Sequence, residues 1–254
     1  MLNSMDALST NRAAGVYRRL RALLFPPACL FCHAPLPGDG CCPDCYADIH
    51  VWPHDACERC GSPLPGGMEQ GLCGRCFHKP PAQLQTESLY VYHGPVRDAI
   101  LDWKLKGRDA GERWLFNLTV PRMRDLIDTG DLVLPVPMPL SRMRQSGQHH
   151  AACLSRWLAE AAGCSWDWRI LRRHGERPRQ SSLTGTARRR NLRKAFELDN
   201  DYLAQYSLLP DVQAVWIVDD ILTTGATLHF AARAAARLQR PVKVLSLART
   251  KQEG

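Results

Sequence analysis

Two sets of side chains in this chain have types and spacings suited to chemistry, and the first is sulfur. Nine of the eleven cysteines fall between positions 29 and 76. Eight of them form four Cys-x-x-Cys turns: "CLFC" (Cys29, Cys32), "CPDC" (Cys42, Cys45), "CERC" (Cys57, Cys60) and "CGRC" (Cys73, Cys76). Such a turn sets two thiolates on one ion, and two turns complete a tetrahedral structural zinc site. The pairs predict one or two structural Zn2+ ions. Neighbouring pairs give one quartet of Cys29, Cys32, Cys42 and Cys45 and another of Cys57, Cys60, Cys73 and Cys76; the spacing also allows a crossed pairing. Cys41 stands beside the first quartet and can trade places with Cys42. Cys153 and Cys164 stand alone. Free buried thiols and an iron–sulfur cluster are the competing readings. No pair adjoins a thioredoxin-like strand–helix unit, which argues against redox chemistry.

The second set is "VWIVDDILTTGATL", residues 215–228. An apolar strand delivers Asp219 and Asp220 to the carboxyl end of a sheet, the edge where open α/β sheets bind ligands. Carboxylates accept charge-assisted hydrogen bonds from vicinal hydroxyls such as those of a ribose. Thr223, Thr224 and Thr227 supply hydroxyls, Gly225 a turn without side-chain bulk, and Ala226 opens a helix whose first amides favour a phosphate. A strand–turn–helix with threonine caps and no ligand is the plainer alternative.

The elements that must position these groups read as alternating strands and helices. "QTESLYVY", "DLVLPVPM", "VQAVWIVDD" and "PVKVLSLAR" have strand character. "PVRDAILDWKLKG" places Val96, Ala99, Ile100 and Trp103 on one helical face and stops at Gly107. "HHAACLSRWLAEAAG" places Leu154, Trp157, Leu158 and Ala161 on one side, and "TLHFAARAAARLQ" is a strong helix former. Alternation of this kind predicts an α/β fold, a parallel sheet flanked by helices. The proline- and glycine-rich cysteine segment cannot build a core of its own. The expected division is an N-terminal helix over residues 1–25, a double zinc ribbon over 26–80 and the α/β domain over 81–254.

Net charge is +8, which favours an anionic partner without naming it. Residues 169–194 hold ten Arg or Lys and one acid, Glu176, and read as a basic loop or flap, with a solvated linker as the alternative. Within it Arg188, Arg189, Arg190 and Arg193 are candidate nucleic-acid contacts. Trp166 and Trp168 just before it can stack on bases or pack in the core. No apolar run reaches the roughly 18 residues of a membrane span. The N-terminal residues lack a signal-peptide pattern, so a cytoplasmic protein is expected.

The aspartate–threonine stretch resembles the phosphoribosyl-diphosphate (PRPP) motif of type I phosphoribosyltransferases. Together with the cysteine pairs, "LDWKLKGR", "PVPM" and "RQSSLTGTARRRNLRKAF", it identifies the chain as similar to the ComF family, of the ComFC/GntX-like kind. The resemblance covers nearly the whole chain from Cys29. It implies a double zinc ribbon joined to a type I phosphoribosyltransferase-like domain, and a role in DNA uptake, natural transformation or use of external DNA. By residue matching it implies that Asp219 and Asp220 hold the ribose and that Thr223, Thr224, Gly225, Ala226 and Thr227 bind the 5-phosphate. Pro135, Val136, Pro137 and Met138 would form the pyrophosphate loop, with Arg142 and Arg144 nearby and Lys104 as a further phosphate contact. Mg2+ would accompany PRPP, whose pyrophosphate a nucleophile displaces at C1. After this loop the family pattern Arg-Gly-Phe-Asn-Gln is replaced by Ser146, Gly147, Gln148, His149 and His150, so the acceptor is not readable. The expected activity is therefore a PRPP-binding transferase. The alternative is a non-catalytic adaptor that keeps the phosphate site and contacts single-stranded DNA or DNA-uptake proteins.

Overall fold

The computed structural model describes residues 26–53, 55–64, 71–174, 195–206 and 209–251. The helix expected over residues 1–25 and the arginines Arg188, Arg189, Arg190 and Arg193 lie outside the described residues.

The sheet is built around strands that are apolar on both faces, as a parallel sheet covered on both sides requires. In β6 (Val215–Leu222) the pleat turns Val215 and Ile217 to one core and Trp216 and Val218 to the other. Five strands run parallel in the order β1–β7–β6–β2–β3. They are β1 (Gln85–Val91), β2 (Leu132–Pro135), β3 (Ser165–Trp166), β6 and β7 (Val242–Arg249). The sheet and its flanking helices match the α/β architecture expected.

One face is covered by α3 (Gly94–Lys106), α4 (Ala110–Leu126) and α6 (His150–Ala162). Val96, Ala99, Ile100 and Trp103 of α3 are buried there, and the helix ends at Gly107, whose φ of 67° suits glycine. Leu154 and Leu158 of α6 are fully buried, with Trp157 and Ala161 at the margin. On the other face α8 (Ala226–Ala235) packs Leu228, Ala231, Ala232 and Ala235 onto the sheet.

Two parts differ from the sequence reading. The basic stretch does not begin as a loop: Leu171–Arg173 form β4, paired antiparallel with β5 (Phe196–Leu198). Ile170 and Leu171 are 0% and 2% exposed, so two apolar residues anchor the start of the stretch in the core. The two tryptophans also part company. Trp166 donates from Nε1 to Ser155 Oγ at 2.7 Å and packs at the core margin, while Trp168 is 45% exposed.

The cysteine segment carries two short helices, α1 (Pro43–Ala47) and α2 (Gly74–His78). It lies along β1, the edge strand. Trp52 N donates to Leu89 O at 3.0 Å, Val91 N to His50 O at 2.8 Å and Thr86 N to Glu58 O at 2.8 Å. Among the described residues no helix is long and apolar enough to cross a membrane.

Candidate functional site

The thiolate quartets come first because their geometry is set locally. Each Cys-x-x-Cys turn brings its two sulfurs together, and α1 and α2 open at Cys42 and Cys73. The four Sγ atoms of Cys29, Cys32, Cys42 and Cys45 lie within 4.8 Å of one another, as do those of Cys57, Cys60, Cys73 and Cys76. Neighbouring turns therefore pair, and the crossed arrangement is not the one adopted. The Cys32–Cys42 and Cys60–Cys73 sulfurs are each 3.7 Å apart. Four sulfurs at about 2.3 Å from a tetrahedral Zn2+ stand about 3.8 Å from each other, so both quartets fit the ion. Backbone amides point at the sulfurs, Cys42 N at Cys29 Sγ (3.4 Å) and Cys73 N at Cys57 Sγ (3.3 Å), as suits thiolates. Cys41 lies outside the quartet and donates to Cys42 O. Cys153 and Cys164 belong to neither quartet.

The second site lies at the carboxyl ends of β2 and β6. After β2 the chain moves outward to β3, and after β6 it moves the opposite way to β7. The gap between β2 and β6 is thus the switch point where such sheets hold ligands. Pro135, Val136, Pro137 and Met138 leave β2 on one side of it. Val136 N still donates to Val218 O at 2.8 Å, which ties this loop to β6. On the other side Thr223 and Thr224 are exposed. Gly225, at φ 74°, caps α8 and brings no side chain to that helix's first amides. Those N–H groups carry the partial positive charge of a helix N-terminus. Arg142 and Arg144, on α5 (Leu140–Ser146), are exposed beyond the first loop.

Asp219 and Asp220 do not follow β6; they lie within it, and its pairing with β7 continues to Leu222. Both carboxylates are thus held by a paired strand rather than by a loop. Asp220 points to the α3 face, where Lys104 Nζ lies 2.7 Å from its Oδ2. Lys104, expected as a phosphate contact, is thus an ion-pair partner of Asp220. Asp219 Oδ1 accepts from Asp220 N at 3.0 Å. Burial, then the neighbouring Asp220 carboxylate, pushes the Asp219 carboxyl well above its usual range.

Behind the Lys104–Asp220 pair is Glu112, which the sequence reading missed. It is 0% exposed, and neither carboxyl oxygen has a donor among the described residues. Burial foremost, then Asp220, pushes its carboxyl up to about 9, against the pull of Lys104. A signal was available: Glu112 stands three and four residues before Leu115 and Phe116, on the buried stripe of α4.

The histidine pair is not a surface feature. His150 is buried against Trp103, ring centroids 4.4 Å apart, and its Nε2 has no partner among the described residues. His149 caps α6 by accepting from Ala152 N at 3.0 Å, and its Nε2 stands 3.1 Å from Met138 N. Burial lowers the pKa of both rings, partly offset at each by Asp220.

Two predictions come from these centres. Purified protein should hold two zinc ions per chain by elemental analysis, unchanged by Cys153→Ala; a folded, reduced, metal-free preparation contradicts both quartets. Glu112 takes up its proton far above the ordinary 4.5, so its favourable contribution is complete below about pH 4.5 and fades as pH rises towards 9. Glu112→Gln carries no proton to lose. In urea unfolding it should be more stable than the parent by up to about 3 kcal/mol at pH 7 and by under about 1 kcal/mol at pH 5. A variant less stable at pH 7 than at pH 5, relative to the parent, means that Glu112 is ionised.

Residues 20–77 match the family of double zinc ribbon domains. The chain is 30% identical over 217 residues to DNA utilization protein YhgH of Escherichia coli K12, covering 81% of this chain and 89% of that protein. It is 28% identical over 213 residues to the protein of the same name in Salmonella typhi, with the same shares covered. It is also 28% identical over 232 residues to competence protein F of Haemophilus influenzae, covering 87% of this chain and 96% of that one. With an N-terminal double zinc ribbon on a five-stranded parallel α/β sheet, the chain belongs to the ComF family.

Proposed function

We propose that the chain binds PRPP between the loops after β2 and β6 and acts in the uptake or use of DNA. The observation that carries the first half is the placement of Asp219, Asp220 and the Thr223–Thr227 turn across the sheet's switch point from Pro135–Met138. Two adjacent carboxyl groups at the strand end offer neighbouring acceptors to a pair of vicinal hydroxyls. The amides opening α8 and the threonine hydroxyls suit the 5-phosphate, and the amides after β2 suit the pyrophosphate. Mg2+ entering with PRPP would be held by ligand oxygens beside Asp219 and Asp220, and would supply charge neutralisation. The reaction open to such a site is displacement of pyrophosphate at C1 by a nucleophile. The second half rests on the relatives, which are named for DNA utilization and for competence.

A second reading, a nucleic-acid adaptor, is favoured by one specific surface. Arg75 and Lys79, at the end of α2, are exposed, as is Arg233 on α8. Burial first, then Arg233, Arg75 and Lys79, holds His229 below its usual pKa. Phe77 beside them is 71% exposed. Cations flanking an exposed ring match the phosphates and base faces of a single strand.

Titration with PRPP and Mg2+ should show binding by calorimetry. Asp220→Asn, which removes the partner of Lys104 and one charge-assisted acceptor, should weaken it about ten- to hundredfold. Thr224→Val should weaken it in the same assay. No response to millimolar PRPP sinks the ligand assignment; equal binding by the Asp220 variant moves the ligand elsewhere. For the adaptor reading, the double variant Arg75→Ala, Lys79→Ala should weaken single-stranded DNA binding and lower the salt slope by about 1.4. Unchanged affinity and slope reject that surface.

A further inference from the structure

Arg249 is the last residue of β7, and it is 3% exposed. Its guanidinium reaches out of the sheet into the second ribbon. Nη1 donates to the carbonyl oxygen of Cys60 at 2.6 Å and Nη2 to Ser62 Oγ at 3.0 Å. The guanidinium lies over the Trp52 ring, 5.1 Å from its centroid. The ribbon is shaped to admit it. Gly61 adopts φ 66°, and a Cβ there would stand 2.6 Å from Nη1, so the turn between Cys60 and Ser62 leaves room only for glycine.

No carboxylate among the described residues forms an ion pair with this buried cation. A buried charge needs an answering one, and the group beside it is the second quartet. Four thiolates on one Zn2+ carry a net charge of two minus, and Cys60 is one of the four. Arg249 is therefore the counter-charge of the second metal site as well as the hydrogen-bond donor to its Cys60 corner.

The backbone of the same residue supports the ligand loop. Arg249 is in register with Leu222 of β6, and Thr250 N donates to Leu222 O at 3.1 Å. Tyr92 N, on the other side, donates to Arg249 O at 2.7 Å. Leu222 is followed directly by Thr223 and Thr224, and its Cδ1 is 3.5 Å from the place a Cβ on Gly225 would occupy. The strand end from which the Thr223–Thr227 turn springs is thus clamped by the residue that the second zinc site holds. The first quartet docks elsewhere, with Phe31 and Tyr46 against Trp114 of α4 at 5.7 and 6.3 Å between centroids.

We infer that Arg249 is a positioning residue that couples occupancy of the second zinc site to the order of the Thr223–Thr227 turn, so that zinc at Cys57, Cys60, Cys73 and Cys76 tunes ligand affinity while zinc at the first quartet does not. The affinity half of this rests on the PRPP reading above; the structural half does not.

The test uses full-length protein and two readouts, hydrogen exchange of the amides from Leu222 to Thr227 and at Thr250, and PRPP affinity with Mg2+. Cys73→Ser, in the second quartet, should speed exchange there at least about tenfold and weaken PRPP by about the same factor. Cys45→Ser, in the first quartet, should leave both within about twofold. Arg249→Lys keeps a cation but loses the fork that reaches Cys60 and Ser62. It should speed loop exchange while zinc content stays at two and exchange at Leu89 and Tyr90 is unchanged. Ser62→Ala, which removes one hydrogen bond and leaves the core intact, should give a smaller effect of about threefold. Equal effects from Cys73→Ser and Cys45→Ser, or an Arg249→Lys variant with unaltered loop exchange, overturn the coupling. Absence of PRPP binding by the parent protein overturns the ligand reading, and the exchange measurements then still decide the coupling.

Discussion

One cation answers for three carboxyl groups at the end of β6, and the character of the site depends on that ratio. Lys104 is paired with Asp220. Asp219 and Glu112 have no cation of their own, and both are pushed towards their neutral forms by burial and by the charge on Asp220. Burial and the charge on Asp220 thus oppose the build-up of three negative charges in the cleft. A phosphorylated ligand of the kind proposed, entering between β2 and β6, would meet helix amides and threonine hydroxyls without opposition from three full negative charges. The proton on Glu112 is part of that arrangement. An ionised acid there would compete with Asp220 for Lys104 and raise the negative potential under the ligand. A fully buried acid is a poor choice for stability alone, and its position on α4 is explained by what it faces.

Much of this was legible in the sequence, for identifiable reasons. The quartets could be read because two thiolates two residues apart have few uses in a chain of this kind. The choice between neighbouring and crossed pairing could not, because it depends on how the ribbon turns lie in space. The apolar face of α3 appeared in full, since Val96, Ala99, Ile100 and Trp103 follow the helical period without interruption. Helix α4 did not appear. Pro121 sits within it, and a proline inside a periodic run reads as a stop; with α4 went Glu112. The strand before the aspartates was visible, but its end was not. Asp219 and Asp220 look like the start of a loop, and only the pairing of Ile221 and Leu222 with β7 shows that the strand runs past them. The histidines could not be placed, because polarity in the sequence does not reveal that Trp103 covers one ring and that the other caps a helix. In the basic stretch, ten cations concealed Ile170 and Leu171, whose burial begins a strand.

The two ribbons are attached to the sheet in different ways. The first leans on the helices through aromatic edges at Trp114. The second, with the chain leading into it, pairs with the backbone of β1 and holds the guanidinium from the end of β7. The metal module is therefore fastened both to a helix and to the sheet.

The contact with β1 has a consequence of another kind. A parallel sheet leaves a row of amides and carbonyls open along each outer strand, a ready template for a foreign strand. Here His50, Trp52 and Glu58 occupy part of that row, and the tryptophan's Nε1 donates to Gly61 O in the second ribbon at 3.0 Å. They hold that place only while the surrounding turns are folded, and in a segment so poor in apolar residues folding is supplied by metal. A chain made without enough zinc would present an uncovered edge to its own copies. Its first failure would be clumping during synthesis, before any question of ligand arises.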